Sequence, residues 1–396
     1  AGTWTALPAG TDHGGGWVPA PADDGTIDLA HAAPSAPPDV ASAFAAALRD
    51  LPRLLPHHGY HPAGLPDLRA RIAERYAGRG LPTTPEEVLV TAGALHGVAV
   101  ALETFLRRGD RLLVEHPTYP NALDAARARG ARLLPVALDG AFPDQWISDV
   151  ERAVAELRPA AAYVMPDFQN PTGTVLDTAQ RDGLARALRR PGTIAIVDET
   201  LVELGLDTTA GPPLAAFDPR HVSVGTLSKV FWGGMRVGWI RAEADVVRVL
   251  TAVAVRSHMS GPAVEQLAAC HLLDGAGAAL DDQRDRLRAR RTALSAALRH
   301  RLPAWDWHEP AGGLVLWCHL PSTRSTALVA AAEPLGLRLA AGPRFGTGHA
   351  FDDRLRLPYT QPPDVLRQAV DLLVEADARA TVTAGPVDPH PFDAVV

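Results

Sequence analysis

The stretch His221-Val222-Ser223-Val224-Gly225-Thr226-Leu227-Ser228-Lys229-Val230-Phe231-Trp232-Gly233-Gly234-Met235-Arg236 decides how the rest of this chain is read. It opens as a short apolar run of strand character, passes into small and hydroxyl-bearing residues, and reaches a lysine with an arginine seven positions later. That lysine is the only one present: of 38 Lys and Arg side chains, the other 37 are arginine. A GC-rich codon bias accounts for a drift from Lys to Arg on solvated surfaces, where either residue serves. It does not account for the exception. A lysine that resists replacement supplies an amine that can lose its proton and attack a carbonyl, whereas a guanidinium stays protonated. Lys229 is therefore the first candidate for a covalent attachment point. Around it Thr226, Ser228 and Arg236 supply two hydroxyls and a guanidinium suited to a phosphate; the alternative is a surface turn with one basic residue.

Outward from this stretch, strand and helix patterns alternate. Glu87–Thr91, Arg111–Glu115, Arg132–Val136, Ala161–Met165, Thr193–Val197 and His221–Val224 are short apolar runs of strand length. Leu65–Tyr76, Ala94–Phe105, Asn121–Arg129 and Ala179–Leu188 carry apolar residues at helical spacing. Strands interleaved with helices predict an α/β fold, with a mainly parallel sheet between helices. From Pro262 to His300 the spacing predicts one long charged helix. The apolar run Gly313–Trp317, a helix near Thr326–Leu335 and a last strand at Arg354–Leu357 then predict a smaller α+β domain. The expected organisation is a linker-like arm at 1–26 and a large domain at 27–255, whose residues 27–50 pack with the small domain. The small domain is expected at 256–378 and a loose, proline-rich tail at 379–396.

Several candidates lie just beyond strand ends, where open α/β sheets bind ligands. Asp198 follows the run Thr193–Val197. A buried carboxylate there can hold a ring nitrogen protonated and make the ring an electron sink, or it is a helix cap or a structural ion pair. Asn170, one of two asparagines, sits in Asp167-Phe168-Gln169-Asn170-Pro171-Thr172-Gly173. Its amide can donate to a phenolate oxygen, or the segment is simply a turn. Tyr119, in His116-Pro117-Thr118-Tyr119-Pro120, either stacks on a planar cofactor or packs as an ordinary loop aromatic. In Thr91-Ala92-Gly93-Ala94-Leu95-His96 small residues let a phosphate approach the N–H groups that open a helix, although a plain strand-to-helix turn looks the same.

In order and character these pieces resemble the fold type I pyridoxal phosphate enzymes of the class I/II aminotransferase family, from about Ile27 to Val374. The most specific parts are the Asn-Pro-Thr-Gly turn, the Asp198-Glu199 pair at a strand end, and Ser228-Lys229 with Arg236 beyond it. The resemblance implies pyridoxal 5'-phosphate held by a Schiff base to Lys229. Asp198 would face the pyridine nitrogen, Asn170 would donate to the phenolic oxygen and Tyr119 would stack on the ring. Thr226, Ser228, Arg236 and the backbone N–H groups of Ala94 and Leu95 would hold the phosphate. Arg356, in Leu355-Arg356-Leu357-Pro358, would grip the substrate α-carboxylate by a bidentate pair, near Asn170 and Ala32. Read without the family, Arg356 is a strand residue with a surface charge. Tyr60, in Gly59-Tyr60-His61-Pro62-Ala63-Gly64, would reach the phosphate of a neighbouring subunit, so a homodimer with shared sites is implied.

Three positions depart from that family's pattern. Leu201 stands where a tyrosine usually contacts the phenolic oxygen, Ala32 replaces a glycine near the substrate carboxylate, and Leu95 replaces a polar residue. With the linker-like start, these departures resemble one branch, the aminotransferase-like effector domain of MocR/GntR-type bacterial regulators. In that branch a winged-helix domain precedes such a linker, and this chain is expected to be a fragment of that kind. A net charge of -7 and a pI near 6.1 argue against nucleic-acid binding by this chain alone. No run of about 18 apolar residues is free of charges or breakers, so no membrane partner is expected. The start lacks the basic and apolar regions of a signal peptide. Cys270 and Cys318 form neither a disulfide framework nor a metal-ligand pair, so no metal and a cytoplasmic setting are expected.

Two functions follow from the resemblance. One is transamination between an amino acid and a 2-oxo acid, with the freed Lys229 amine moving the α-proton. The other is sensing of an amino compound with little or no turnover. Elimination or decarboxylation on the same scaffold is a third. Arg344, Trp232 and Trp317 are candidates for the substrate pocket or ordinary packing residues.

Overall fold

The computed structural model describes residues 25–138, 142–190, 192–321, 324–348 and 350–383. The expected arm lies outside the described residues up to position 24, as does the expected tail from 384 onward. A two-residue strand β1 (Ile27–Asp28) precedes helices α1 (Pro38–Asp50) and α2 (Pro66–Gly78). Strands and helices then alternate as β2 (Val88–Thr91), α3 (Ala94–Phe105), β3 (Arg111–His116), α4 (Pro120–Ala128), β4 (Arg132–Ala137), α5 (Pro143–Leu157), β5 (Ala161–Val164), α6 (Thr178–Leu188) and β6 (Ile194–Asp198). β7 (Val222–Thr226) and β8 (Gly238–Arg241) lead to α7 (Ala244–Ala254), α8 (Ala263–Asp274) and α9 (Ala276–Arg301). The chain closes with β9 (Val315–His319), α10 (Ser325–Ala332), β10 (Leu337–Arg338), β11 (Ala340–Ala341), β12 (Arg354–Pro358) and α11 (Pro363–Thr383). Prolines open α1, α2, α4, α5 and α11, where a missing N–H and a fixed φ cost nothing.

Seven strands form the main sheet in the order β2-β8-β7-β6-β5-β3-β4. All run the same way except β8, which pairs antiparallel with both β2 and β7. Alternate residues of the central strands enter two separate cores. Leu112, Val114, Tyr163 and Ile196 face one of them. Leu113, Ala162, Val164 and Val197 face the other, against Trp146 and Val150 of α5 and Leu184 of α6. This period of two, apolar on both faces, is what a sheet covered by two helical layers requires. Each fully buried Leu or Val stabilises the fold by about 1.5–3 kcal/mol. A second sheet, β11-β12-β9, is antiparallel, and β1 pairs in parallel with β10 beside it.

The expected α/β class and parallel sheet are present, and three details differ from the sequence reading. The long helix predicted from Pro262 is two helices that meet at Gly275, and α8 packs on α1 and α2 rather than on the small sheet. Helix-forming residues stand on both sides of Gly275, and glycine is a weak helix former at which the chain breaks. Segment 27–50 is likewise divided: β1 pairs with β10, while α1 packs on α8. Finally, α11 continues past 379 to Thr383, anchored by the buried Ala376 and Ala380.

Candidate active site

Because six strands of the main sheet point one way, the residues that follow β2, β3, β5, β6 and β7 gather along one edge. They line a cavity of about 310 Å³ that contains Ala94, Leu95, Tyr119, Asn170, Asp198, Thr226, Ser228, Lys229 and Arg236. His31 and Ala32 close it from the N-terminal segment, and Leu314 and Val315 from the start of β9. Nine residues scattered over 143 positions of sequence thus meet because the strand ends meet.

One end of the cavity is built for an anion. Helix α3 begins at Ala94, so the first N–H groups of the helix have no carbonyl of their own turn to bind. The preceding Gly93 has φ 84, and a Cβ there would stand 2.7 Å from Nη2 of Arg236. Gly238 is equally constrained, because its Cβ would lie 2.5 Å from the carbonyl carbon of Gly93. Arg236 Nη2 donates to the carbonyl of Ala92 at 2.7 Å, which fixes the guanidinium beside this turn. The hydroxyls of Thr226 and Ser228 lie 3.1 Å apart, and Thr226 donates to Val237 O at 2.8 Å. Two hydroxyls, a guanidinium and a helix N-terminus are the donor set a phosphate needs.

The proton-bearing groups line the same cavity. Asp198 is buried; its Oδ2 accepts from the Tyr163 hydroxyl at 2.5 Å and its Oδ1 from the Thr200 N–H at 2.9 Å. Burial pushes its carboxyl up, while the Tyr163 and Thr200 donors and the Lys229 charge pull it back down. Lys229 Nζ donates to the carbonyl of Ala32 at 3.0 Å. Burial, with help from Arg356 and Arg236, lowers its amine to about 8. An amine so lowered has a substantial neutral fraction near neutral pH, which a nucleophile requires. Cavity shape, anion end and carboxylate together fit a planar, phosphorylated ring with an electrophilic substituent at Lys229.

Two expected site residues stand outside this lining. Arg356 is buried beside it: Nη1 donates to Asn170 Oδ1 at 3.5 Å, Nη2 to the carbonyl of Ala30, and the guanidinium lies 4.9 Å from the Phe345 ring centroid. Among the described residues it has no carboxylate partner, and burial lowers its guanidinium to about 10. A buried, uncompensated cation is costly unless an anion arrives to pair with it. Tyr60 is 59% exposed and makes its contacts with His58 rather than with the cavity. Leu201 lines the cavity, so no phenol stands at that position. Of the pocket candidates, Trp317 packs on Phe345 and Phe351, Trp232 is 40% exposed, and Arg344 lies half-buried outside the lining.

Sequence reasoning missed Tyr163 and Thr200 as partners of Asp198, and His31, whose Nδ1 lies 2.5 Å from Asp28 Oδ2. Tyr163 was hidden inside an apolar run, and its direction is legible only once β5 pairs with β6 in the observed register. Among the described residues no helix is long and apolar enough to cross a membrane.

Residues 32–373 match the aminotransferase class I and II family. The chain is 30% identical over 313 residues to a 2-aminoadipate transaminase of Thermus thermophilus, covering 77% of this chain and 76% of that one. It is 31% identical over 294 residues to the HTH-type transcriptional regulator YdcR of Escherichia coli, covering 72% of this chain and 62% of that protein. Among solved structures, LysN, an α-aminoadipate aminotransferase from Thermus thermophilus complexed with N-(5'-phosphopyridoxyl)-L-leucine, matches with a TM-score of 0.83 and 27% identity. That match covers 91% of this chain and 94% of the other.

Proposed function

This chain belongs to the aminotransferase class I and II family, with pyridoxal phosphate as its cofactor, and we propose that Lys229 carries that cofactor for transfer of an amino group between an amino acid and a 2-oxo acid. The observation that carries the reading is the convergence of the lone lysine, a buried carboxylate and an anion cradle in one cavity. Thr226, Ser228, Arg236 and the first N–H groups of α3 would hold the phosphate. Asp198 would hold a proton on the ring nitrogen, Tyr119 would cover one face of the ring and Asn170 would donate to its phenolic oxygen. The bound cofactor supplies a carbonyl for the amine and a ring that draws electrons from the substrate Cα.

The remaining work falls on the chain. Lys229 Nζ would be the base that takes and returns the α-proton, and its amine near 8 suits that exchange. Arg356 would pair with the α-carboxylate and so orient the Cα–H bond. Asp198 would do its part as a carboxylate, a form that the donors Tyr163 and Thr200 favour against the burial that disfavours it. Of the ionisable groups lining the cavity among the described residues, Lys229, Asp198 and Arg236 are thereby given to the cofactor, and His31 pairs with Asp28. Ala33, Val98, Leu314 and Val315 are left as apolar walls, which supports an amino acid with an uncharged side chain. Tyr60, exposed and outside the lining of its own site, supports a homodimer in which it completes the partner's site. Two buried free thiols suit a reducing, cytoplasmic compartment.

Leu201 and the likeness to a transcriptional regulator favour a second reading, in which the same site senses an amino compound with little turnover. A panel of neutral and acidic amino acids added to the cofactor-loaded protein separates the two. Release of a 2-oxo acid with the neutral ones supports the enzyme. A stable spectral change without release supports the sensor, and no response to any amino acid contradicts both.

A further inference from the structure

We propose that Glu115 is a positioning residue which, through the side chain of Gln169, locks the loop bearing Tyr119 to the turn bearing Asn170. The inference rests on the reading of those two residues as cofactor contacts and adds what sets their relative position. Glu115 lies near the end of β3 and is 1% exposed. One carboxylate oxygen accepts from the Met165 N–H at 2.8 Å, at the end of β5; the other accepts from Gln169 Nε2 at 2.9 Å. The same Nε2 donates to the carbonyl of Pro117 at 2.7 Å, two residues before Tyr119. The opposite end of the amide, Oε1, accepts from the N–H and the hydroxyl of Thr172 at 2.9 and 2.8 Å, two residues after Asn170. Gln169 thus spends both donors on one loop and its acceptor on the other, so its orientation is fixed by four bonds.

The Met165 and Gln169 N–H groups both donate to Glu115, with the Thr118 hydroxyl beside them, so the carboxylate is the form that accepts most strongly from its partners and a protonated carboxyl weakens the network. The same burial that makes the lock rigid raises this carboxyl to about 7. Asp198 and Tyr163 are the titratable groups facing it from the neighbouring strands, and the Asp198 charge acts in the same direction as burial. His116 follows it in the chain, and burial lowers that imidazole. The lock is therefore complete above neutral pH and loosens below it.

Cofactor affinity measured by absorbance titration from pH 5.5 to 8.5 tests this on the native protein, Glu115→Gln and Gln169→Leu. The native protein should lose affinity as pH falls through 7. Glu115→Gln should bind about tenfold more weakly at pH 8, the loss of one charge-assisted hydrogen bond, and should lack that step. Gln169→Leu should lack the step as well, although it keeps the carboxylate. Every other titrating group, the cofactor phosphate included, is common to all three proteins, so the comparison isolates Glu115. Retention of the native pH step in either variant overturns the proposal. Hydrogen exchange at the Thr172 amide in cofactor-free protein reads the lock without any cofactor. Faster exchange in Glu115→Gln at pH 8 supports it, and unchanged exchange contradicts it even if the reading of the cofactor site itself fails. If Glu115→Gln does not fold, Gln169→Leu and the pH dependence of Thr172 exchange in the native protein carry the same decision.

Discussion

Helix α9 and the cavity at the ends of β5, β6 and β7 are both rich in charge, and they treat it in opposite ways. On α9, Arg284, Arg286 and Arg288 pair one turn away with Asp281, Asp282 and Asp285, in water, at the spacing that suits a helix surface. In and around the cavity Lys229, Asp198, Glu115 and Arg356 are buried or nearly so, and among the described residues none has an ion-pair partner within bonding distance. Charge on α9 is cheap because solvent screens it. Charge in the cavity is held at a cost, and each group departs from its ordinary titration because burial disfavours its charged form. The lone lysine belongs to this contrast. On the surface Arg serves as well as Lys, whereas the role proposed for Lys229 needs an amine that can lose its proton.

The largest effect expected from breaking that contrast is at Asp198. Asp198→Ala should lower turnover by about 100- to 1,000-fold, the scale of a preorganised electrostatic contact, with little change in folding, as measured by steady-state kinetics and thermal melts. A variant as active as the native protein would remove Asp198 from the mechanism. Next is Arg356→Lys, which keeps the charge and loses the planar fork. KM for the amino acid should rise by roughly 10- to 100-fold, with kcat changed less. If KM is unchanged, the α-carboxylate is bound elsewhere.

A stability measurement sharpens the same comparison in the cofactor-free protein. With the Lys229 amine near 8 in the fold and 10.5 when exposed, the buried cation is carried at full cost below pH 8. Above 10.5 neither folded nor unfolded chain carries it, and the cost vanishes. Lys229→Met should therefore stabilise the protein at pH 7 by on the order of 2–3 kcal/mol, and the gain should shrink steadily between pH 8 and 10.5. A gain independent of pH would point to packing instead. The smallest effect is expected on the surface. Arg286→Lys on α9 should change stability by less than about 0.5 kcal/mol and leave activity alone, in keeping with solvent-exposed pairs.

The same contrast explains what the sequence revealed. Strand–helix alternation was legible because both faces of the central strands are apolar, and the cavity residues because each follows a strand. The lone lysine stood out against an arginine background. Glu115 and Tyr163 were not legible, since each looks like a passenger in an apolar run. Their meaning depends on which strands become neighbours, and β3 lies next to β5, and β5 next to β6, only in the folded sheet. β8 escaped notice for a related reason: Gly-Trp-Ile-Arg is too short to show a period, and its place between β2 and β7 is set by pairing. Gly275 divides two helices, the mostly apolar α8 and the charged α9, whose helical residue types run on through it.

The central claim is that Lys229, alone among the cationic side chains, bonds covalently to the cofactor. Borohydride reduction of the protein loaded with pyridoxal phosphate, followed by peptide mass mapping, tests it directly. The account predicts a single stoichiometric adduct on the peptide containing Lys229 and loss of the visible absorbance shift in Lys229→Ala. An unmodified Lys229 peptide in a protein that nevertheless binds the cofactor tightly would contradict it.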